Sequence, residues 1–147
     1  MSNSKPPVTC HILDTTSGKP AQDVTCSIYF VRTTAESFGF EVSETQPFAA
    51  ARTNEDGRIG AWIFAPEPSK RPFLKELGIY EENSTLVWKS LVPGTYKIRF
   101  QTSRYFERQK KTCFFPFVEI FFEVSDSRHY HIPLLLSNYA YSTYRGS

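Results

Sequence analysis

The stretch Val8–Asp14, which reads VTCHILD, shows the pattern that decides the fold class of this chain. Val8, Cys10 and Ile12 recur at every second position, the period that is typical of a strand with one buried face. We therefore expect Cys10 to face the core. His11, its neighbour, is expected to lie on the opposite face of the same strand.

Further stretches with strand character follow along the chain. They are Val24–Val31, a short one around Phe38–Val42, Arg58–Phe64, Thr95–Gln101, Phe117–Val124, Arg128–Leu136 and Tyr141–Arg145. Turn signals such as Asp56-Gly57 and Pro93-Gly94 separate them. Aromatic residues make up 16% of the chain, an enrichment that favours strands. Seven or eight short strands separated by turns predict an all-β sandwich.

One short helix is expected at Arg104–Lys111, with Ser103 as its N-cap and cations in its last turn, where the helix dipole favours them. The residues Ala65–Leu91 interrupt the strand rhythm with three prolines and several charges. They read as a long surface connection that is too short to form a core of its own. We therefore expect a single domain over residues 1–147.

Composition excludes several classes of partner. The formal charge is only +2 and no basic stripe is present, so neither nucleic acid nor an anionic membrane surface is indicated. No stretch approaches the roughly 20 apolar residues that span a bilayer, and Met1–Pro7 lacks the apolar region of a secretory signal. Three widely spaced cysteines predict free thiols in a reducing compartment. The expected location is the cytoplasm. The chain does not end in a Ser-Lys-Leu tripeptide, and a peroxisomal location by another route stays open.

Histidine is the side chain best suited to move protons near neutral pH. The chain has three histidines, and two of them, His129 and His131, are two positions apart and so share a strand face. His11 points away from the core. Arg58 directly follows a tight turn and offers a guanidinium fork to a planar, carbonyl-rich or anionic ligand. Taken singly, each of these residues also fits an ordinary surface or core position.

Other chemistries fit the sequence less well. His-x-His with a third histidine could supply the three imidazoles of an open zinc site, but no acidic residue is placed to support them. A Cys10–His11 nucleophile pair is excluded because neighbouring strand residues point to opposite faces. A Gly-rich phosphate loop and a Gly-x-Ser-x-Gly elbow are both missing from the sequence. The sequence therefore predicts neither a metal nor a cofactor.

Several segments in order resemble the 5-hydroxyisourate hydrolases, the enzymatic relatives of transthyretin. These segments are Cys10–Asp14, Asn54–Arg58, Tyr96–Phe106, Phe114–Pro116, His129–Ser137 and Tyr141–Ser147. The resemblance runs from about Val8 to Ser147 and leaves Ala65–Leu91 uncovered. Two positions, Asn138 and Ala140, depart from the proline and glycine that are usual in the family.

The resemblance implies a transthyretin-like Greek-key sandwich. It also implies a homotetramer, built as a dimer of dimers, with active sites in a channel between the dimers. The implied reaction is hydrolysis of the cyclic amide of 5-hydroxyisourate to 2-oxo-4-hydroxy-4-carboxy-5-ureidoimidazoline, a step of urate and purine catabolism.

The resemblance also assigns roles by motif position. The catalytic positions fall on His11, Arg58 and His131, and the substrate-binding positions on Tyr144, Arg145, Gly146 and Ser147. The two catalytic histidines are expected to face each other across the channel. Which of them is the base, and what the carboxylate of the last residue does, stay open.

The alternative function is that of a non-enzymatic, transthyretin-like carrier of a small aromatic ligand in the same channel. In transthyretin itself the two histidine positions and the arginine position hold other residues. Their retention here favours an enzyme over a carrier. A sandwich that serves only as an interaction surface would leave the cluster of histidine and arginine unexplained.

Overall fold

Two β-sheets packed face to face form the core of the computed structural model, which describes residues 5–34, 41–43 and 46–147. In spatial order, the first sheet contains β12 (Tyr141–Thr143), β11 (Tyr130–Leu136), β1 (Val8–Asp14) and β2 (Lys19–Pro20). The second contains β10 (Val118–Val124), β9 (Gly94–Phe100), β3 (Thr25–Thr34), β5 (Ala49–Arg52) and β6 (Ile63–Phe64), and β4 (Glu41–Ser43) also pairs with β3. This arrangement confirms the predicted all-β sandwich.

The alternation in β1 is fully realised. Val8, Cys10 and Ile12 have no solvent exposure, whereas His11 is half-buried on the other face. Burying an aliphatic side chain of this size contributes about 1.5–3 kcal/mol to folding. The prediction that Cys10 and His11 point to opposite faces is therefore confirmed. All three cysteines of the chain are free.

The parallel pairing of β1 with β11 joins two segments that are about as far apart as the chain allows. Its register places Thr9 beside His131 and His11 beside Pro133. Partner residues on neighbouring strands project from the same face of a sheet. The side chains of Thr9, His11 and His131 therefore share the outer face of the first sheet.

The residues of the predicted surface connection form regular structure. They contain a 3₁₀ turn (Pro68–Lys70), helix α1 (Arg71–Glu76) and a hairpin of β7 (Ile79–Glu82) and β8 (Thr85–Trp88). Five apolar side chains of this region are buried in the same cluster as the sandwich core: Leu74, Leu77, Ile79, Trp88 and Leu91. Together with β2 and β5, which were also not predicted, these two strands bring the described residues to twelve strands rather than seven or eight.

The strand predicted at Arg58–Phe64 is wrong over most of its length. Only β6 at its end belongs to a sheet, and the neighbouring β5 forms the ladder with β3 instead. The segment before β6 is attached to β1, where Ile59 donates its backbone N–H to the carbonyl of Cys10 at 3.3 Å. The indole of Trp62 likewise donates to the carbonyl of Val8 at 2.9 Å. Isolated bonds of this kind hold the segment without making it a strand.

The second helix, α2 (Thr102–Arg108), begins two residues earlier and ends three residues earlier than predicted. Gln101 is its N-cap, without a side-chain capping bond, so the prediction of Ser103 as N-cap is wrong. The cause is the preceding strand, because the N–H of Gln101 bonds the carbonyl of Thr25 at 2.9 Å and the helix starts directly after it. Lys110 has a φ of 57°, which places it beyond the end of the helix.

The short strand predicted around Phe38–Val42 lies partly outside the described residues, and its described end belongs to β4. No helix in the described ranges is long and apolar enough to cross a membrane.

Candidate active site

His11 and His131 lie side by side on the outer face of the first sheet. Their ring centroids are 6.4 Å apart, and the ring planes differ by 25°. The parallel pairing of β1 with β11 produces this contact within one chain. The two rings are therefore neighbours on one surface, rather than partners that face each other across a channel between chains.

A tight turn positions Arg58 opposite His11. The side-chain oxygen of Asn54 accepts the N–H of Arg58 at 3.1 Å, and the carbonyl of Gly57 accepts the N–H of Ile12 at 2.8 Å. Gly57 has a φ of +73°, and a Cβ there would lie 2.5 Å from the carbonyl oxygen of Ile12. The turn thus rests directly on β1. The resulting backbone bridge pairs Arg58 with His11.

A cavity of about 270 Å³ opens beside these residues. The lining residues with polar side chains include Thr9, Asn54, Arg58, His129, His131 and Ser147. The ring of His11 borders that of His131 without lining the cavity itself. The space is that of a small-molecule site, and its walls carry a guanidinium and two imidazoles.

Gly146 and Ser147 are held at the site by a contact with His131. The N–H of Gly146 donates to the carbonyl of His131 at 2.9 Å. A Cβ on Gly146 would lie 2.6 Å from Cδ2 of His131, so only glycine fits there without displacing the ring. Ser147 follows directly and borders the cavity. These two of the four predicted substrate-binding residues are therefore at the site.

Tyr144 and Arg145 are placed differently. The side chain of Tyr144 is 60% exposed, and neither residue lines the cavity. The guanidinium of Arg145 lies over the ring of Tyr130, 4.3 Å from its centroid, which is a favourable cation–π distance. Within one chain, Arg145 therefore stabilises the position of this segment and does not reach the cavity.

The environment favours neutral imidazoles. Burial, and then the charge of Arg58, lower the pKa of His11, although a hydrogen bond and the charge of Asp56 act in the opposite direction. Burial also lowers the pKa of His131, and the charges of Arg58, His11, His129 and Lys5 lower it further. Both rings are thus uncharged at neutral pH and able to accept a proton.

Two further residues at the site had no role assigned from the sequence. Oγ1 of Thr9 lies 2.8 Å from Nε2 of His129 and 2.7 Å from Nδ1 of His131. Burial and the charge of Lys5 lower the pKa of His129. A signal for Thr9 was present in the sequence, because it precedes His11 by two residues and so shares its strand face.

A zinc site built from the histidines would need three imidazoles around one ion. In the residues with described side chains, no group of three or more His, Cys, Asp or Glu is arranged to hold a metal ion. The shared hydroxyl of Thr9 occupies ring nitrogens of two of the three imidazoles.

A larger groove of about 690 Å³ lies along β5 and β6, away from the histidines. Its walls are mainly apolar, with Ala49, Ala51, Ile63 and Phe64 among the lining residues. It contains no histidine, and it has none of the paired proton-transfer groups found at the smaller cavity. The smaller cavity is therefore the candidate site.

The profile of the HIUase/Transthyretin family matches residues 8–146, which is nearly the whole chain. The chain belongs to the HIUase/Transthyretin family. The matched range spans residues 65–91, where the added helix and hairpin lie.

The chain is similar both to proteins named 5-hydroxyisourate hydrolase and to transthyretins. A probable 5-hydroxyisourate hydrolase of Schizosaccharomyces pombe is 33% identical, over 97% of this chain and 92% of its own. The structure of the 5-hydroxyisourate hydrolase of Klebsiella pneumoniae superposes with a TM-score of 0.61 at 28% identity, over 95% of this chain and 98% of its own. Sea bream transthyretin in complex with thyroxine gives a TM-score of 0.63 at 25% identity, over 95% and 94%. The predicted transthyretin-like fold is confirmed.

Proposed function

We propose that this protein hydrolyses the cyclic amide of 5-hydroxyisourate to 2-oxo-4-hydroxy-4-carboxy-5-ureidoimidazoline in urate breakdown. The observation that carries the proposal is that Arg58 and His131 line one small cavity while the ring of His11 lies directly beside that of His131. Relatives with the name 5-hydroxyisourate hydrolase, including the mouse protein at 30% identity over the full length of both chains, support it.

The reaction needs a base and a group that stabilises negative charge. A neutral imidazole of the His11–His131 pair takes a proton from water, and the water oxygen bonds to the carbonyl carbon. The carbonyl oxygen becomes negatively charged beside the guanidinium of Arg58. The C–N bond then breaks and its nitrogen takes the proton from the imidazolium. The ring opens to a single product that carries the new carboxylic acid and the freed N–H group.

General base catalysis and stabilisation of the negative oxygen together can supply a large rate acceleration for a reactive cyclic amide. General base catalysis contributes about 10²–10⁴-fold, and one well-placed oxyanion donor contributes about 10²–10³-fold. No metal ion is needed to reach a large acceleration by this route. The lowered pKa of both histidines keeps the base unprotonated at neutral pH.

Ser147 is proposed to contact the substrate directly, because it borders the cavity beside His131. Gly146 lets the chain pass close to that ring. Tyr144 and Arg145 are proposed to reach the substrate only in the assembled oligomer, where a second chain would border the site.

A homotetramer, a dimer of dimers, is proposed for the assembly. Its support is the set of large apolar side chains left exposed in one chain: Phe114 is 71%, Tyr139 65% and Phe121 50% exposed. Exposed apolar residues of this size, when they are contiguous, mark interaction surfaces. Sedimentation velocity measures the mass directly, and a monomer at micromolar concentration would contradict the proposal.

A cytoplasmic location is proposed on the basis of the three free thiols, which are typical of a reducing compartment. Fluorescence microscopy of the tagged protein in its own cells tests it, and a peroxisomal signal is the contrary result.

The second candidate is a transthyretin-like carrier, and the similarity to sea bream transthyretin in complex with thyroxine favours it. A carrier would bind a small aromatic ligand without turnover. It would also leave the neutral histidine pair without a use, whereas hydrolysis uses a neutral imidazole of this pair as its base.

The deciding experiment follows the ultraviolet decay of 5-hydroxyisourate, freshly made from urate with urate oxidase. The wild-type protein is expected to accelerate the decay, and His131→Ala to lose about a hundredfold or more of that acceleration, in line with the loss of a general base. Decay at the spontaneous rate with folded wild-type protein would favour the carrier. Near-normal turnover by His131→Ala would remove that histidine from the mechanism.

A further inference from the structure

The hydroxyl of Thr9 lies between two imidazoles on the outer face of the first sheet. Its oxygen is 2.8 Å from Nε2 of His129 and 2.7 Å from Nδ1 of His131. Both distances are those of true hydrogen bonds. A hydroxyl carries only one hydrogen, so it donates to one ring and must accept an N–H from the other.

The surroundings of His129 favour one direction for these bonds. The backbone of Pro6 acts on this ring as a hydrogen-bond partner, in the sense that raises the pKa of His129. Proline has no backbone N–H, so its backbone can only accept, and it favours an N–H on the ring nitrogen that does not face Thr9. In that neutral tautomer, Nε2 of His129 is the acceptor.

The remaining bonds follow from this assignment. Thr9 donates its hydrogen to Nε2 of His129, and its oxygen therefore accepts the Nδ1–H of His131. Neutral His131 then carries no hydrogen on Nε2. The opposite direction would put a hydrogen on Nε2 of His131, and that atom could not take a proton from water.

We propose that Thr9 and His129 are positioning residues that hold His131 in the tautomer in which Nε2 is the base. This inference rests on the proposed function, because it names the atom that takes the proton in that reaction. Nε2 accepts the proton as the water oxygen bonds to the carbonyl carbon. The resulting imidazolium keeps its Nδ1–H bond to Thr9 and returns the Nε2 proton to the leaving nitrogen.

The tautomer can be measured without substrate. In ¹⁵N-labelled wild-type protein above the pKa of His131, long-range ¹H–¹⁵N correlation spectra are expected to show a protonated Nδ1 and an unprotonated Nε2. Thr9→Val is nearly the same size but has no hydroxyl, so the Nε2-protonated form should gain population. Thr9→Ser keeps the hydroxyl and should keep the wild-type tautomer. An Nε2-protonated ring in wild type would overturn the proposal.

The kinetic test uses two matched pairs of variants. In the first pair, Thr9→Val and His129→Leu each remove one hydrogen-bonding group that holds the ring of His131. In the second pair, Thr9→Ser keeps the hydroxyl and His129→Gln keeps a side-chain acceptor. We expect the first pair to lower kcat by at least about tenfold, as loss of an orienting partner does. Roughly 10⁴-fold, the loss for a base held in its wrong tautomer, is the upper limit. KM should change little, and the second pair should retain most of the activity.

The outcomes separate this inference from the proposed function. Wild-type protein that does not hydrolyse 5-hydroxyisourate contradicts the function, while the spectra still test the tautomer. An active wild type with equal rates in Thr9→Val and Thr9→Ser overturns the positioning role. Circular dichroism of every variant confirms folding, and His129→Leu keeps the test available if Thr9→Val unfolds.

Discussion

Gly146 lies against the imidazole of His131 so closely that no side chain fits between them. A Cβ at position 146 would come within 2.6 Å of Cδ2 of His131 and 3.1 Å of its carbonyl oxygen. The same glycine donates its N–H to that carbonyl. The position of Gly146 and the position of the proposed catalytic ring are therefore coupled, and a change at one displaces the other.

Gly146→Ala should lower kcat by about tenfold or more, because the methyl group displaces a ring that must stay within a fraction of an ångström of its working position. The control is Gly18→Ala, since Gly18 does not line the cavity and a Cβ there meets nothing within 4 Å. Both variants should keep a folded sandwich by circular dichroism. A fully active Gly146→Ala enzyme would show that the contact tolerates displacement.

Arg58→Gln should change both the rate and its pH dependence. Loss of the guanidinium should cost about 10²–10³-fold in kcat, as for an oxyanion donor. Arg58 also lowers the pKa of His11 and of His131. The acid limb of kcat/KM, which reports the free enzyme, should therefore move upward toward the ordinary histidine value of about 6.5.

The control for Arg58→Gln is Arg104→Gln, which removes an exposed arginine of α2. Its rate and pH profile should match wild type. An unchanged acid limb in Arg58→Gln would mean that the charge of Arg58 does not act on the histidines.

Folding stability should fall as the pH is lowered through the histidine range. His11, His129 and His131 all have a lowered pKa in the folded protein. The unfolded chain, with histidine pKa values near 6.5, therefore binds more protons in this range. The contribution of the histidines to the free energy of unfolding is fully present above about pH 6.5. It is lost as the pH falls through the pKa values that these histidines have in the folded protein.

Urea unfolding at about pH 7.5 and about pH 5.5 measures this loss. In His131→Gln, which lacks one of the three histidines, the free energy of unfolding should differ less between the two pH values. An equal difference in the variant would exclude His131 as a contributor. Glu119, whose pKa is lowered by Lys97 and Arg99, adds a separate loss at more acidic pH.

Tyr105→Phe should destabilise the fold without involving the site. The phenol donates to Oδ2 of Asp14 at 2.7 Å, and Asp14 has no solvent exposure. Burial raises the pKa of Tyr105 to about 12, so the donor hydrogen is present at all working pH values. Removal of a partner from a buried acceptor costs about 1–3 kcal/mol.

Tyr139→Phe is the matched control for Tyr105→Phe, because Tyr139 is 65% exposed and its hydroxyl bonds Thr112 at the surface. It should change the free energy of unfolding by no more than about 0.5 kcal/mol. Equal effects of the two variants in urea titration would contradict a special role for the buried bond.

The errors in strand prediction have identifiable causes. The strand β5 reads Ala-Ala-Ala-Arg, and alanine is depleted in strands, so its composition gives no strand signal. The residues after Arg58 have a better strand composition, yet their backbone reaches β1 through isolated bonds. Pairing with a distant partner decided both cases, and local propensity is a weak guide to such pairing.

Local sequence determined which residues are available for the chemistry and which way they point. The alternation in Val8–Asp14 placed Cys10 in the core and His11 outside, because successive side chains of a strand must leave opposite faces. The turn at Gly57 was also predictable from local sequence, because a residue without Cβ adopts a positive φ more easily than any other. These properties depend on a few neighbouring residues.

Only the tertiary structure decided that these residues meet. The parallel pairing of β1 with β11 puts Thr9 beside His131, which is 122 positions away, and the hydroxyl then links two imidazoles. A register of that kind depends on how both sheets bury their apolar faces together. A slip by one residue would turn every side chain of β11 to the other face, so packing of the whole core selects the site.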